Sequence, residues 1–324
     1  MKNCFILILF IISTLVLKSQ KLELYRLRDL EISFVSLSDI YPLSDDPDSL
    51  AIPDLKYLEK EKLQWFKLNS KYRKRFFSKT NISETDKVFI YDYSTDVLLS
   101  FSVKELNVVA YLNLYMTPDD CFPDPYKHYR ACDQSDYMIG FEINKNSLSG
   151  LGELYRNVLV YVGKENPFIQ GQIKPVVWKK IDSSDFPSTK ADVKIDSVYF
   201  VTGRGNTYLY ESDNLRFFIQ DLFSNNESYI RGRHLLVVDI KNDKVVIEQV
   251  YQNSEGAMIT PLNFGIEGLD NEYDSDSQEQ WTGKLFKNKP PVVFGFEWVS
   301  FGCPYITLLN TKKEYIDINC DNRH

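Results

Sequence analysis

The chain has 324 residues, with 45 acidic side chains against 38 lysines and arginines, and a formal net charge of −7. An acidic chain lacks the positive surface that neutralises phosphates, so the composition argues against a nucleic-acid-binding protein. Aromatic residues make up 14% of the chain, and such rings favour β-sheet surfaces and interfaces.

Residues 1–20 have the pattern of a secretory signal peptide. Lys2 gives a positive start, the run from Cys4 to Leu17 is almost wholly apolar, and a short polar segment ends it. A membrane-spanning helix needs roughly 20 apolar residues, so a signal anchor is the weaker alternative. We therefore predict a secreted, periplasmic or cell-envelope protein with no transmembrane segment in its mature chain. Cleavage removes two lysines and no acids, which changes the formal charge from −7 to −9.

Residues 53–77 predict one N-terminal helix. Pro53 suits the first helical position and Asp54 the positive end of the helix. Apolar residues recur at helical spacing, namely Leu55, Leu58, Trp65, Tyr72 and Phe76. The basic side chains between residues 71 and 75 fit either a patch for a phosphate or membrane surface, or a solvated helix face.

After Lys87 the pattern changes to short apolar segments separated by turns, which predicts antiparallel strands and hairpins. The strands are predicted within residues 88–103, 137–143, 157–163, 235–251 and 291–301. The turn at Asn242-Asp243 sets Val238 opposite Ile247 and Ile240 opposite Val245.

The predicted fold is therefore mainly β and antiparallel, with two sheet-containing lobes. A sandwich or a small propeller-like arrangement is also compatible with the pattern. The polar, turn-rich segment 182–194 is the best candidate for a linker. It divides the mature chain into a first lobe with the helix, residues 21–190, and a second lobe, residues 191–324.

Four cysteines remain after cleavage, and an even number in an exported chain predicts disulfides. Folding the C-terminal segment about Asn310–Lys313 places Cys303 opposite Cys320 and Tyr305 opposite Ile318. Opposed cysteines on adjacent strands can reach bonding distance. We therefore predict a disulfide between Cys303 and Cys320.

This pairing leaves Cys121 to pair with Cys132. Two alternatives for these cysteines are a zinc site with His128 and Asp124 or Asp133, and a catalytic thiol with His128. The spacing matches none of the common structural zinc patterns, and a nucleophile needs a free thiolate.

Standard catalytic motifs are missing: the sequence has no GxSxG, HExxH, Walker A or GxGxxG segment. The one weak catalytic candidate is Glu297, which lies among aromatic residues. A carboxylate beside apolar groups can have a raised pKa and act as a general acid. Glycoside hydrolysis requires a second carboxylate about 5–9 Å away, for which Asp239 and Glu142 are possible sources.

An acidic loop, residues 270–280, is a weak candidate for calcium, because that ion prefers oxygen ligands. Its carboxylates are Asp270, Glu272, Asp274, Asp276 and Glu279. The loop lacks the glycine and the ligand order of an EF-hand, so a solvated surface loop is the alternative. We expect no other metal or cofactor.

Two further segments are candidate binding residues. Arg231, Arg233 and His234 open a predicted strand and fit a clamp for a carboxylate or phosphate, or a charged strand edge. Three tryptophans, Trp178, Trp281 and Trp298, fit an exposed aromatic platform for sugars or a protein partner, or alternatively the cores of the sheets. Trp281 is the best single candidate for exposure, because it lies at the edge of a polar loop.

The function predicted from these features is an exported, non-catalytic, β-rich binding or interaction protein at the cell envelope or in the extracellular space. Its partner would be a glycan or a protein. The first alternative is a secreted glycan-acting hydrolase with Glu297 as general acid. The second is a structural component of the envelope.

Overall fold

The computed structural model of the chain describes residues 22–37, 52–55, 58–121, 132–187, 201–212, 214–224, 229–265, 279–300 and 302–321. Within these ranges the fold is mainly β with a single α-helix, as the sequence predicts. The predicted signal peptide, residues 1–20, lies outside the described residues.

The elements up to residue 187 are β1 (Leu24–Tyr25), β2 (Leu27–Asp29), β3 (Ser33–Ser36), β4 (Trp65–Lys67), α1 (Ser70–Lys79), β5 (Lys87–Asp92), β6 (Val97–Ser102), β7 (Asn107–Leu112), β8 (Tyr137–Ile143), β9 (Val158–Gly163), β10 (Ile173–Pro175) and β11 (Lys179–Ile181). The later strands are β12 (Val201–Ser212), β13 (Leu215–Ser224), β14 (Gly232–Asp239), β15 (Lys244–Gln252), β16 (Ala257–Ile259), β17 (Trp281–Gly283), β18 (Val292–Phe294), β19 (Glu297–Val299), β20 (Tyr305–Leu308) and β21 (Tyr315–Asn319).

These strands form three large sheets and one two-stranded sheet. The orders are β10-β17-β18-β20-β21-β1-β9-β5-β6, then β11-β12-β13-β14-β15, then β2-β3-β8-β7-β4, with β16-β19 as the pair. Among the described strands every pairing is antiparallel except that of β1 with β21. The nine-stranded sheet contains strands from both predicted lobes, so the two segments share backbone hydrogen bonds; the division near residue 190 remains a prediction.

The two faces of β5 and β9 enter two different cores, because successive residues of a strand point to opposite faces. Ile90 and Val160 pack into the first core with α1 and the β2-β3-β8-β7-β4 sheet. Tyr91 and Leu159 pack into the second core against β18, β20 and β21. A third core lies between the β11–β15 sheet and Trp178, Val293 and Phe296.

The helix is shorter than predicted. It begins at Ser70, where the Asn69 side chain accepts hydrogen bonds from the Lys71 and Tyr72 amides at 3.0 and 3.4 Å. Upstream, Trp65–Lys67 forms β4 and pairs with β7. The helix predicted from the apolar periodicity of residues 53–77 is therefore wrong over the first half of that segment. Long-range strand pairing outweighs local helix propensity there.

One arginine in the basic segment of α1, Arg73, has a structural role. Arg73 donates to both oxygens of Glu84, at 2.8 and 2.7 Å, and to the Val103 carbonyl at 2.7 Å. Its guanidinium also lies 4.9 Å from the centre of the Phe77 ring. Arg73 thus ties the helix to the turn that follows β6.

The hairpin within residues 235–251 is confirmed as β14 and β15, but its predicted register is wrong. Val238 lies opposite Val245, and Val237 lies opposite Ile247. A β-bulge between Val237 and Val238 adds one residue to one strand, and Ile240 leaves the ladder to donate to the carbonyl of Asn214. A bulge of this kind shifts every later pairing by one residue.

Both predicted disulfides are present, Cys121–Cys132 and Cys303–Cys320, with Cα–Cα distances of 4.5 and 5.4 Å. The ladder between β20 and β21 is nevertheless one residue out of the predicted register, since Tyr305 lies opposite Asp317. The cysteines lie beyond the ladder, which is why the pairing holds despite the slip.

Bonded sulfurs carry no thiolate, so neither Cys121 nor Cys132 can act here as a zinc ligand or a nucleophile. His128 and Asp124, their suggested partners, lie outside the described residues. Two disulfides are typical of a protein that folds in an oxidising compartment. Within the described ranges, no helix has the length and apolar character needed to cross a bilayer.

Candidate functional site

A narrow cavity of about 40 Å³ lies where the second and third cores meet. We call it the Glu297 cavity. Its polar lining residues include Arg26, Tyr93, Tyr251, Glu297 and Tyr305. They come from five separate parts of the chain: the β1–β2 junction, the residue after β5, and strands β15, β19 and β20.

A break in the predicted strand 291–301 positions Glu297. Gly295 has a φ of +90° and separates β18 from β19. A Cβ atom at this position would lie 2.4 Å from the carbonyl oxygen of Glu279, so a side chain does not fit. One continuous strand over residues 291–301 would put Phe296 and Trp298 on the same face, but Phe296 is buried, whereas Trp298 is 53% exposed.

Glu297 is a half-buried carboxylate with little local stabilisation. The amide of Gln252 donates to Oε1 at the long distance of 3.4 Å. Beside it, the rings of Tyr251 and Phe296 stack with centroids 4.9 Å apart. Burial raises the pKa of Glu297, and the Gln252 amide only partly opposes this rise.

Three tyrosines supply hydroxyls to the cavity. Tyr93 and Tyr251 are buried, and neither hydroxyl makes a hydrogen bond within the described residues. Tyr305 accepts a hydrogen bond from Nε2 of Gln249 at 2.7 Å. Burial, aided by the charge of Glu297, raises the pKa of Tyr305 to about 12. All three are thus neutral donors at neutral pH.

Arg26 is the cationic residue of the cavity. It follows β1 on the same face as Leu24 and is half-buried. Burial lowers its pKa, and the like charge of Arg28 acts in the same direction, although Tyr93 opposes both. Arg28 itself donates to the carbonyl of Cys320. Within the described residues Arg26 forms no ion pair.

A larger groove of about 430 Å³ adjoins the cavity and shares Tyr305 and Thr307 with it. We call it the Tyr315 groove; its other lining residues are Ile247, Glu248, Gln249, Lys313 and Tyr315. Tyr315 is 63% exposed and packs edge-on against Tyr305, with ring centroids 5.8 Å apart. The groove therefore has an aromatic wall that a ligand can reach from solvent.

The tryptophans of the predicted platform do not come together. Trp281 is buried in the second core, where its ring meets Tyr93 edge-on at 5.1 Å. Trp178 is buried in the third core and donates to Gln280 at 3.1 Å. Trp298 alone is exposed, opposite the exposed Met258 on β16. The expectation of an exposed Trp281 is corrected by its burial against β18.

Two of the three residues predicted to bind an anion already pair with acidic side chains of the protein. Arg233 pairs with Asp221 at 3.1 Å, and Nε2 of His234 lies 2.7 Å from Glu248. His234 is buried under the ring of Phe186, and burial lowers its pKa. Within the described residues, the Arg231 side chain donates only to the Tyr229 hydroxyl, at 3.5 Å.

The described part of the chain holds no group of three or more metal-ligating side chains. The calcium candidates Asp270, Glu272, Asp274 and Asp276 lie outside it.

The second carboxylate that glycoside hydrolysis requires is not found in the lining of the cavity, as far as the chain is described; Glu297 is the one acid there. Glu142 lies in another sheet, bonded to Lys67 and Asn107. Asp239 ends β14 and accepts from the Lys241 amide.

Sequence reasoning found Glu297 but missed the other polar residues of the cavity. One signal was available for Arg26. In LELYRLRD, strand alternation puts Arg26 on the same face as Leu22 and Leu24, and a cation in an apolar row is a candidate for a site. The tyrosines offered no such signal, since the chain has 21 of them.

Comparisons of the chain with protein-family models, curated proteins and solved structures found no match.

Proposed function

We propose that the protein is an exported, non-catalytic binding protein of the cell envelope or extracellular space, and that it holds a small glycan. The Tyr315 groove carries this proposal. Its volume of about 430 Å³ lies within the roughly 300–1,000 Å³ typical of small-molecule sites. The two disulfides support an exported location.

The chemistry of the groove suits a sugar. The Tyr305 and Tyr315 rings offer a rigid aromatic wall for the apolar face of a pyranose. Gln249, Thr307 and Lys313 line the same groove and supply hydrogen-bonding groups for hydroxyls. A glycan is therefore a better match than a purely apolar ligand.

The test is a thermal-stability titration of the full chain, purified from an exporting host, against a panel of neutral and acidic oligosaccharides. A ligand at 100 times its Kd stabilises the fold by about 2.7 kcal/mol. We expect Tyr315→Ala to weaken binding roughly fivefold, which corresponds to about 1 kcal/mol of lost aromatic contact. The matched control, Tyr229→Ala, removes another exposed tyrosine and should leave binding unchanged. A flat response across the panel would contradict the proposal.

The raised pKa of Glu297 favours one second candidate, a glycan-acting hydrolase that uses this residue as general acid. It supplies one half of the required pair of carboxylates. Analysis of the bound oligosaccharide after incubation separates the two functions. Intact ligand supports binding alone, and cleavage that is lost in Glu297→Gln supports hydrolysis.

A further inference from the structure

We propose that the Glu297 cavity receives a carboxylate on Arg26, so that the ligand is a glycan with a terminal uronic acid. This inference rests on the proposed function, because the sugar ring would occupy the Tyr315 groove. It adds the chemical class of the sugar and the residue that selects it.

Arg26 is a partly buried cation in the lining of the cavity. A guanidinium keeps its charge in proteins and carries five N–H donors. A partly buried charge without a partner is costly, yet Arg26 has no acidic partner within the described residues. The charge of Arg28, which acts on it, has the same sign. An anionic ligand would remove this imbalance.

Tyr93 places a hydroxyl donor near Arg26 in the lining of the cavity. The charge of Arg26 opposes the rise in the pKa of Tyr93 that burial, Asp92 and Glu279 cause. A carboxylate has about four acceptor sites, and a guanidinium can occupy two of them. The Tyr93 hydroxyl, which has no hydrogen-bond partner within the described residues, would then supply a further donor to the same group.

Arg26 and Glu297 act on different tyrosines of the cavity. Besides burial, the charge of Glu297 raises the pKa of Tyr251 and Tyr305. The charge of Arg26 lowers the pKa of Tyr93, against the opposite effects of Asp92 and Glu279. A ligand carboxylate would therefore lie on the Arg26 side of the cavity.

The volume of the cavity limits the size of the group that can enter it. A water molecule needs about 10–15 Å³ of cavity volume, so about 40 Å³ admits a group as large as a carboxylate but not a sugar ring. The ring would lie in the adjoining groove. Because the whole chain is acidic, a long polyuronate would be repelled, which favours a single terminal uronate.

The experiment is isothermal titration of the full exported protein with a disaccharide that ends in glucuronic acid and with its neutral glucose counterpart. We expect the acidic sugar to bind about tenfold or more tightly, as hydrogen bonds to charged groups predict. Arg26→Gln should abolish this preference, so that the two sugars bind with similar affinity. The control Arg216→Gln alters an exposed arginine that pairs with Glu211 and should preserve the preference.

A second variant covers the case in which Arg26→Gln fails to fold. Tyr93→Phe keeps the ring in the core but removes the hydroxyl, and it should reduce the preference for the acidic sugar several-fold. Equal binding of both sugars by the unmodified protein would overturn the uronate inference and leave the proposed function standing. Binding of neither sugar would overturn both.

Discussion

Arg233 donates from Nε to the carboxylate of Asp221 at 3.1 Å, in a pair whose side chains are only 11% and 2% exposed. The two residues lie directly opposite each other on β14 and β13. The Tyr208 hydroxyl donates to the same carboxylate at 3.4 Å, and Arg233 also donates to the carbonyl of Thr260. Burial raises the pKa of Asp221, and the charge of Arg233 opposes that rise. Each partner therefore compensates the buried charge of the other.

We predict that Asp221→Ala destabilises the protein by about 3–5 kcal/mol, because it leaves the Arg233 charge buried without a partner. Urea unfolding measures the loss. The double variant Asp221→Leu/Arg233→Met removes both charges and should be clearly more stable than Asp221→Ala. If the single variant lost less than about 1 kcal/mol, the pair would not have the structural role assigned to it.

The sequence predicted hairpins well but their registers poorly. Alternating apolar residues around Asn242-Asp243 identify β14 and β15. No residue in the sequence, however, indicates the β-bulge between Val237 and Val238. In the same way, Cys303 and Cys320 could be paired from their spacing although the ladder between them slips by one. Local patterns identify strands, whereas register depends on packing against distant strands.

The candidate site was harder to predict for the same reason. Glu297 could be singled out as an acid within an aromatic strand. Arg26 and Tyr93 join it because β1 pairs with both β21 and β9, and β9 pairs with β5. Tyr251 joins it because its ring stacks on Phe296. Trp281 was misplaced because an adjacent polar loop suggested exposure, whereas strand pairing with β18 carries its ring inward.

The Cys303–Cys320 disulfide should contribute measurably to stability. It closes a loop with a sequence separation of 17, and the chain-entropy estimate for a 15-residue loop is about 3 kcal/mol. We expect the double variant Cys303→Ser/Cys320→Ser to lose about that amount in urea unfolding under oxidising conditions. Addition of a reductant should then destabilise this variant less than the unmodified protein. An unchanged unfolding midpoint would contradict the prediction.

Gly140 is required by the close approach of two strands. It lies on β8, between β3 and β7, and a Cβ atom there would lie 1.9 Å from the carbonyl oxygen of Val35. Gly140→Ala should therefore destabilise the protein by about 1–3 kcal/mol or more. The matched control is Gly203→Ala, where the nearest atom would be 3.7 Å away. Thermal unfolding of the two variants compares them, and equal losses would refute the steric argument.

The half-buried carboxylate of Glu297 should make stability depend on pH. Its folded pKa lies above the ordinary value of 4.5 because of burial. Between pH 4.5 and the folded pKa, the folded state therefore binds more protons than the unfolded state. Stability attributable to this residue is then present below pH 4.5 and is lost as pH rises through the folded pKa. At neutral pH the ionised carboxylate is therefore a net cost.

We accordingly expect Glu297→Gln to be more stable than the unmodified protein at pH 7, and the difference to shrink as the pH falls toward 4. Urea unfolding at several pH values measures this difference. Glu142→Gln is the control, because Glu142 is paired with Lys67 at 3.1 Å and its loss should not stabilise the protein. A stabilising effect that was constant with pH would show that the charge of Glu297 is not its cause. A stabilising effect that grows with pH would mean that this acid is retained at a cost in stability, as is common for residues that serve a binding site.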